Sequence, residues 1–204
     1  MSDLAKRIFD FIVALVVLIL LSPVLAILAV AIRLSMGSPI FFRQLRPGYR
    51  SHPFSIIKFR TMTAAGTPPD APVDTSRDAA RLTPLGRFLR RTSLDELPEL
   101  WNVLTGSMSL VGPRPLLMEY LPLYSPEQAR RHNVKPGITG WAQIHGRNDT
   151  TWERKFALDL WYVDHRSFWL DLRILGITLW KVPKREGISQ QGHATTEKFG
   201  SRSV

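Results

Sequence analysis

The sequence lacks cysteine and the common nucleotide-binding glycine motifs, and each absence excludes a class of chemistry. Without cysteine the chain has no disulfide and no thiolate metal site, a composition compatible with a reducing compartment. The glycines form neither a dinucleotide fingerprint nor a phosphate loop ending in Gly-Lys-Ser/Thr, and there is no Gly-x-Ser-x-Gly elbow for acyl transfer.

Negative charge is scarce relative to positive charge. The 204 residues carry a formal net charge of +10, and 45% of them are apolar. This length and composition favour one domain with its own core plus an attachment, rather than a disordered chain. The positive balance suits anionic partners, namely nucleic acid, phospholipid headgroups or phosphorylated substrates.

An almost continuously apolar segment covers residues 8–32. As a helix it would be roughly 33 Å long between Phe11 and Ile32, about the thickness of the hydrocarbon core of a bilayer. Lys6 and Arg7 precede this segment and Arg33 follows it, so both ends are cationic. We predict a membrane helix over residues 1–33.

The path of this helix has three interpretations. Ser22 and Pro23 lie in its middle, where proline removes a backbone donor and favours a kink. A kinked helix can re-enter the leaflet it came from, which agrees with cations at both ends. A plain spanning anchor and a cleaved signal peptide are the alternatives, because proline also occurs in ordinary spans.

A basic segment follows the membrane helix. Residues 40–42 and 54–57 have the character of short strands, and residues 46–49 of the connection between them. Strand alternation would place Lys58 and Arg60 on one face. The two cations either bind a phosphate or form a solvated basic edge.

A helix with a basic side is predicted after a proline-rich stretch. Residues 63–80 indicate a surface loop, with a lid as the alternative. Thr83 and Pro84 then have the types preferred at a helix cap and first turn. The arginines of this helix point away from its apolar side; they are Arg87, Arg90 and Arg91.

Two adjacent acids, Asp95 and Glu96, follow this basic helix directly. Ser93 and Glu96 have the spacing of a capping box, so one interpretation gives the acids a purely structural role in the first turn of a helix that ends at Gly106. The other interpretation is a site where a metal and a phosphate meet, since arginines are close in sequence.

The carboxyl-terminal half supplies another cation and many aromatic residues. Arg114 stands between Pro113 and Pro115, which would fix its backbone either for phosphate binding or as a rigid turn. Residues 152–182 have a helical pattern rich in aromatic residues, which would lie at a membrane interface or in the core. Asp171 interrupts an apolar run and needs a partner if it is buried.

Seven motifs are spread over nearly the whole length of the chain. They are Lys6-Arg7-Ile8-Phe9-Asp10, Ser22-Pro23, Lys58-Phe59-Arg60-Thr61-Met62, Ser93-Leu94-Asp95-Glu96-Leu97, Val111-Gly112-Pro113-Arg114-Pro115, Pro136-Gly137-Ile138-Thr139-Gly140-Trp141 and Gly192-His193-Ala194-Thr195-Thr196-Glu197-Lys198-Phe199. Together they resemble the motifs of bacterial sugar transferases, specifically the small monotopic phosphoglycosyl transferases. The ending of the chain is similar to the branch that transfers phospho-diacetylbacillosamine in protein glycosylation.

The resemblance implies a reaction and assigns roles to residues. A UDP-sugar, such as UDP-diacetylbacillosamine or a glucose or galactose donor, and polyprenyl (undecaprenyl) phosphate would give polyprenyl-diphosphate sugar and UMP. Asp95 would be the nucleophile and Glu96 the ligand of Mg²⁺. Asp171 would orient Arg90. The phosphate-binding cations implied are Arg90 and Arg114, then Lys58 and Arg60.

The expected fold is α+β: a kinked re-entrant membrane helix joined to a small cytoplasmic domain of helices and short strands with interfacial amphipathic helices. We predict a membrane helix over 1–33, a catalytic domain over 34–185 and a polar tail over 186–204. The resemblance implies the cytoplasmic face of a bacterial inner membrane, contact with lipid and with other glycan-assembly enzymes, and no nucleic acid. A membrane-tethered nucleic-acid-binding protein and a non-catalytic scaffold are the competing hypotheses.

Overall fold

A computed structural model describes residues 3–63, 81–146, 151–184 and Phe199 of the chain. The predicted loop or lid over 63–80 lies outside the described residues apart from Thr63, and so does the predicted tail apart from Phe199. The fold class is confirmed as mixed helices and short strands.

The structure consists of a long helix followed by short elements. The helices are α1 (Asp3–Met36), α2 (Pro84–Thr92), α3 (Glu99–Thr105), α4 (Pro126–Ala129), α5 (Trp141–Gly146), α6 (Trp152–His165) and α7 (Phe168–Lys184). The strands are β1 (Phe41–Pro47), β2 (Pro53–Phe59), β3 (Ser109–Val111) and β4 (Gly137–Thr139). Single 3₁₀ segments are Tyr49–Ser51, Leu94–Glu96, Met118–Leu123 and Arg130–Asn133.

Helix α1 is long and apolar enough to cross a membrane. It continues through Pro23 as one helix, with the Ser22 hydroxyl donating to the carbonyl of Ile19 at 2.8 Å. It ends at Met36, three residues beyond the predicted boundary at 33. The predicted re-entrant path is therefore not confirmed and stays a prediction.

Both ends of α1 pack against the rest of the molecule. The amino-terminal part packs into the main core beside Val103 and Ile174, while the carboxyl-terminal part packs on Phe59 and Leu89. Between them, the stretch from 19 to 27 consists mostly of exposed apolar side chains, for example Leu20 at 70% exposure. An exposed apolar stretch of this size indicates contact with another apolar phase.

Polar contacts fix the first turns of α1. Arg7 donates to the carbonyls of Val103 and Leu104 and so satisfies the free carbonyls at the end of α3. Asp10 is buried and accepts hydrogen bonds from the Ser109 hydroxyl at 2.7 Å and from the Leu110 amide at 3.4 Å. These contacts make the start of α1 part of the folded domain.

The predicted hairpin is confirmed and is longer than the sequence indicated. Strands β1 and β2 pair antiparallel, with Phe41 opposite Phe59 and Pro47 opposite Pro53. Pairing thus extends over residues 46 and 47, which were expected in the connection. Strand β2 ends at Phe59, so Arg60 follows the strand instead of sharing a face with Lys58.

A second, parallel pair of strands holds the Arg114 loop. Strands β3 and β4 pair Ser109 with Gly137 and Val111 with Thr139. The backbones approach so closely that a Cβ added to Gly137 would lie 2.1 Å from the amide nitrogen of Gly112. Glycine is required at such a contact, because no side chain fits.

Candidate active site

The acidic pair lies on the 3₁₀ turn Leu94–Glu96, between α2 and α3. The chain reverses at Ser93, which adopts a left-handed conformation with φ of 57°. The Ser93 side chain makes no capping hydrogen bond, so the predicted capping box is wrong. The Glu96 carboxylate instead binds cations from other parts of the chain.

Two cations converge on one oxygen of Glu96. Lys58 Nζ lies 2.7 Å from Oε1, and an Arg114 guanidinium nitrogen lies 2.6 Å from the same atom. Burial alone would raise the pKa of Glu96, but Arg114 and Lys58 outweigh it and hold this pKa well below its usual range. Glu96 is therefore an anion throughout the physiological pH range.

The pKa of the neighbouring Asp95 is shifted in the opposite direction. Burial is the main cause that raises its pKa, the charge of Glu96 adds to it, and the cations Lys58, Arg90 and Arg114 oppose the rise. None of the residues in the described part of the chain donates a hydrogen bond to its carboxylate. Asp95 thus combines a partly desolvated carboxylate with surrounding cations, which suits a nucleophile directed at a phosphate.

Lys58 is shared between two carboxylates. Its Nζ lies 2.7 Å from Glu96 and 3.0 Å from Oε1 of Glu99, which is on α3. Burial would lower the pKa of Lys58, but the two glutamates raise it, so the ammonium stays charged. Burial raises the pKa of Glu99, which is 1% exposed, to about 7.

Helix α2 brings Arg90 to the site. A Cβ on Gly86 would lie 1.8 Å from the carbonyl oxygen of Thr61, so the glycine lets α2 sit directly on this segment. Arg90 Nε then donates to the Thr61 hydroxyl at 3.0 Å. The predicted cap is confirmed, since the Thr83 hydroxyl accepts from the Gly86 amide at 2.9 Å.

Arg114 reaches the site from the loop after β3. The Gly112 amide donates to Thr139 at 2.9 Å and the Gly137 amide to Pro113 at 3.0 Å, which fixes this loop. Glu96 is the main cause that raises the pKa of Arg114 well above its usual value. The Arg114 side chain remains 45% exposed, so it faces the solvent side of the site.

Two predicted site residues have other contacts. Arg60 is 8% exposed and donates to the carbonyls of Met36, Gly37 and Ser38. Its guanidinium therefore caps the carboxyl-terminal end of α1 and is not directed at the predicted phosphate-binding site. Asp171 accepts from Lys6 at 2.5 Å and from the Tyr162 hydroxyl at 2.7 Å. The expected support of Arg90 by Asp171 is therefore wrong, although Asp171 is buried and partnered as expected.

Glu99 was missed at the sequence level. It stands three residues after Glu96, a spacing that places two side chains on the same side of a turn or helix. That spacing was the available signal. Its contact with Lys58 also depends on the register of the hairpin, which the sequence did not settle.

The aromatic residues of α6 and α7 are partly buried and partly exposed, so the predicted core role is confirmed for some of them and the membrane-interface role of the others stays a prediction. Phe156 and Tyr162 are core residues, at 3% and 1% exposure, whereas Trp169 is 77% exposed. The two helices are separate, with a break at Arg166 and Ser167 in the segment expected to be continuously helical.

The family model described as bacterial sugar transferase matches residues 1–185. The uncharacterized sugar transferase EpsL of Bacillus subtilis is 54% identical over 200 residues, which cover 98% of both chains. The UDP-glucose:undecaprenyl-phosphate glucose-1-phosphate transferase of Escherichia coli is 44% identical over 188 residues, 88% of this chain and 40% of that protein. The UDP-galactose-lipid carrier transferase of Erwinia amylovora is 40% identical over 200 residues, 91% of this chain and 42% of that protein. The chain thus spans well under half of the latter two relatives.

Proposed function

Because the chain belongs to the bacterial sugar transferase family, we propose that it transfers a sugar-1-phosphate from a UDP-sugar to polyprenyl phosphate and releases UMP. The observation that carries the proposal is the convergence of Lys58, Arg90 and Arg114 on the acidic turn at Asp95 and Glu96. A diphosphate substrate and a phosphate acceptor both need cations to neutralise their charge. Such an enzyme performs the first membrane step of glycoconjugate assembly.

The reaction proceeds in two displacements at one phosphorus atom. A carboxylate oxygen of Asp95 attacks the phosphorus that bears the sugar, and the bond from this phosphorus to the oxygen of UMP breaks. A phosphate oxygen of the polyprenyl carrier then attacks the same phosphorus and releases the Asp95 carboxylate. Covalent catalysis of this kind divides one difficult displacement into two easier ones.

The surrounding cations have distinct tasks in this proposal. Arg90 and Arg114 bind the non-bridging phosphate oxygens, and Lys58 supplies positive charge beside the carboxylates of Asp95 and Glu96. Arg60 is no longer a phosphate-binding candidate, since its guanidinium closes α1. The Thr61 hydroxyl accepts from Arg90 Nε, and within the described residues the outer nitrogens of this guanidinium have no protein acceptor, so they can bind substrate.

Mg²⁺ fits the residues present. The described residues contain no group of three His, Cys, Asp or Glu side chains that would bind a metal by themselves. Mg²⁺ needs fewer protein ligands, because it is commonly held by one or two carboxylates together with substrate phosphates. Glu96, with Asp95 beside it, would hold the ion, which would neutralise charge on the diphosphate.

A membrane location is part of the proposal, with the active site on the cytoplasmic face and α1 re-entrant. Support comes from the packing of both ends of α1 on one domain while its middle stays exposed and apolar. A polar substrate and a lipid carrier can meet at such a surface.

Three UDP-sugars are candidates for the donor substrate. The names of the relatives favour UDP-glucose and UDP-galactose. The resemblance of residues 192–199 favours UDP-diacetylbacillosamine, and those residues lie outside the described part of the chain except for Phe199.

The test is UMP release by the purified chain in detergent with Mg²⁺, polyprenyl phosphate and each UDP-sugar in turn. Asp95→Asn is expected to lower the rate by at least about 10³-fold, since the nucleophile is lost. Glu127→Gln, at an exposed carboxylate outside the site, is the control and keeps full activity. The intact mass of wild type treated with donor alone should rise by one sugar phosphate, and that of Asp95→Asn should not.

Two results would contradict the proposal. Equal release by wild type and Asp95→Asn would remove Asp95 from its role. No release from any donor, combined with salt-dependent binding of DNA, would favour the nucleic-acid-binding alternative.

A further inference from the structure

A buried ion pair lies behind the Arg114 loop. Arg131 belongs to the 3₁₀ segment Arg130–Asn133 and Asp159 to α6, and a guanidinium nitrogen of Arg131 lies 2.7 Å from Oδ2 of Asp159. The two residues are 3% and 4% exposed. Burial raises the pKa of Asp159, and the charge of Arg131 works against that rise.

The same nitrogen of Arg131 also reaches the loop. It donates to the backbone carbonyl of Arg114 at 2.7 Å, while the other terminal nitrogen donates to the Tyr124 hydroxyl at 3.3 Å. The planar guanidinium therefore joins α6 to the peptide that carries Arg114. Because Asp159 neutralises it, Arg131 does not serve as an anion-binding group itself.

Aromatic rings enclose this connection. The guanidinium carbon of Arg131 lies 5.6 Å from the ring centre of Phe156 and 5.9 Å from that of Tyr124. Phe199 covers both rings, at 5.0 Å from Phe156 and 5.9 Å from Tyr124. Exclusion of water strengthens the hydrogen bonds inside such a cluster and makes loss of one partner costly.

We infer that Arg131 is a positioning residue that fixes the backbone of Arg114, so that the Arg114 guanidinium is held at the phosphate-binding site beside Glu96. The inference rests on the proposed function. The Arg114 side chain is half exposed, and Glu96 is its ion-pair partner. The orientation of the Arg114 side chain therefore depends on the position of the Arg114 backbone. Pro113 and Pro115 restrict the neighbouring dihedral angles, and Arg131 holds the carbonyl between them.

The test compares variants that keep the fold. Arg131→Met combined with Asp159→Leu removes both charges, so no buried charge is left unpaired, and the melting temperature should stay close to that of wild type. Affinity for UDP, measured by calorimetry with Mg²⁺, and kcat/KM for UMP release should each fall about tenfold, the size expected for one strong hydrogen bond. Arg131→Lys retains the positive charge but lacks the planar guanidinium with its two donating nitrogens. This variant should lose less UDP affinity and less kcat/KM than the Met and Leu variant.

Arg130→Gln is the matched control. Arg130 also joins this 3₁₀ segment to α6, through Asp164, but it is exposed and does not reach Arg114. This variant should bind UDP and turn over as wild type does. An equal loss in Arg130→Gln would show that any link to α6 matters, and it would overturn the specific role of Arg131.

A second comparison uses Arg114→Ala as the background. Adding the Met and Leu substitutions there should leave kcat/KM within about twofold of Arg114→Ala alone, because the effect of Arg131 runs through the missing side chain. A further tenfold loss would make Arg131 a purely structural residue.

The wild-type chain separates the two proposals. Binding of UDP without UMP release from any donor contradicts the proposed function, while the loss of UDP affinity in the Met and Leu variant still supports the positioning role. Unchanged UDP affinity in that variant overturns the positioning role, whatever wild type releases. Failure of wild type to bind UDP overturns both.

Discussion

Lys58 lies between two carboxylates whose charge states differ. Glu96 is held as an anion by two cations, whereas Glu99 has its pKa raised to about 7 by burial. Near neutral pH, a proton on Glu99 competes with the interaction between this carboxylate and the Lys58 ammonium. Charge at the candidate active site is thus sensitive to pH through a residue outside the acidic pair.

The free energy of unfolding should depend on whether Glu99 carries a proton. A carboxyl with a pKa raised from 4.5 to about 7 stabilises the fold fully below pH 4.5, and this contribution is lost as the pH rises through 7. Between pH 5.5 and 8, wild type should therefore lose more stability than Glu99→Gln, by on the order of 1–3 kcal/mol. Melting temperatures of both proteins in EDTA at the two pH values measure this difference.

His132 also contributes to the pH dependence of stability, and this contribution must be subtracted in the comparison. Burial lowers its pKa to about 4, so its contribution is present above pH 6.5 and is lost as the pH falls toward 4. The histidine is common to both proteins and cancels in their difference. Parallel melting temperatures for wild type and Glu99→Gln would show that Glu99 does not titrate in this range.

Individual site residues were predictable where a short motif carried them. Asp95, Glu96, Arg90 and Arg114 lie in one charged cluster, as the motifs indicated. Lys58 was expected only as a phosphate-binding candidate, and its contact with Glu96 was not predicted. Arg60 was misassigned because strand alternation was extended past the end of β2. Its contact with the end of α1 depends on a tertiary approach that periodicity does not encode.

At the scale of elements, local signals predicted what local interactions decide. The predicted cap at Thr83 is the example, since its hydroxyl accepts a hydrogen bond from the Gly86 amide at the start of α2. The same logic failed at Ser93, where tertiary ion pairs engage Glu96 and the backbone turns left-handed. The parallel pairing of β3 with β4 joins distant segments, so its register was not predictable from local patterns.

Helix α1 leads to a prediction about topology. Pro23→Ala restores a backbone hydrogen bond in the middle of the apolar segment, which favours a straight helix over a bent one. A tag at Met1 should then cross the membrane, whereas in wild type it should stay on the side of the catalytic domain. A cysteine in the tag, probed with an impermeant thiol reagent on intact cells, distinguishes the two sides.

The control for this experiment is Ile27→Ala, at an exposed position of the same apolar segment. It lowers apolarity without changing backbone hydrogen bonding, so its tag should behave as in wild type. A tag that stays on the original side in Pro23→Ala would mean that packing at the two ends of α1, rather than Pro23, sets its path.

At the scale of the whole molecule, one helix face indicates how the domain meets a bilayer. Trp169 and Trp180 on α7 are 77% and 66% exposed. Their positions differ by eleven, which at 3.6 residues per turn places them on the same face. Tryptophan is favoured at the boundary between lipid and water, so this face should lie against the headgroups.

The absence of cysteine makes this orientation measurable. Trp169→Cys and Glu127→Cys each introduce a single thiol for an environment-sensitive fluorophore. In vesicles, the label at 169 should emit at shorter wavelength and resist quenching by iodide, while the label at 127 should remain fully quenched. Equal quenching of the two labels would contradict the predicted orientation.

The placement of α1 also governs how a detergent-free form of this protein should be engineered. Ala14 and Ile32 are fully buried in the two cores, and Arg7 and Asp10 bind backbone and side chains of the domain. Deleting the helix would remove these contacts and leave apolar surface behind. Redesign should instead keep the inward-facing residues and replace outward-facing ones such as Ile19, Leu20 and Ile27 with polar residues.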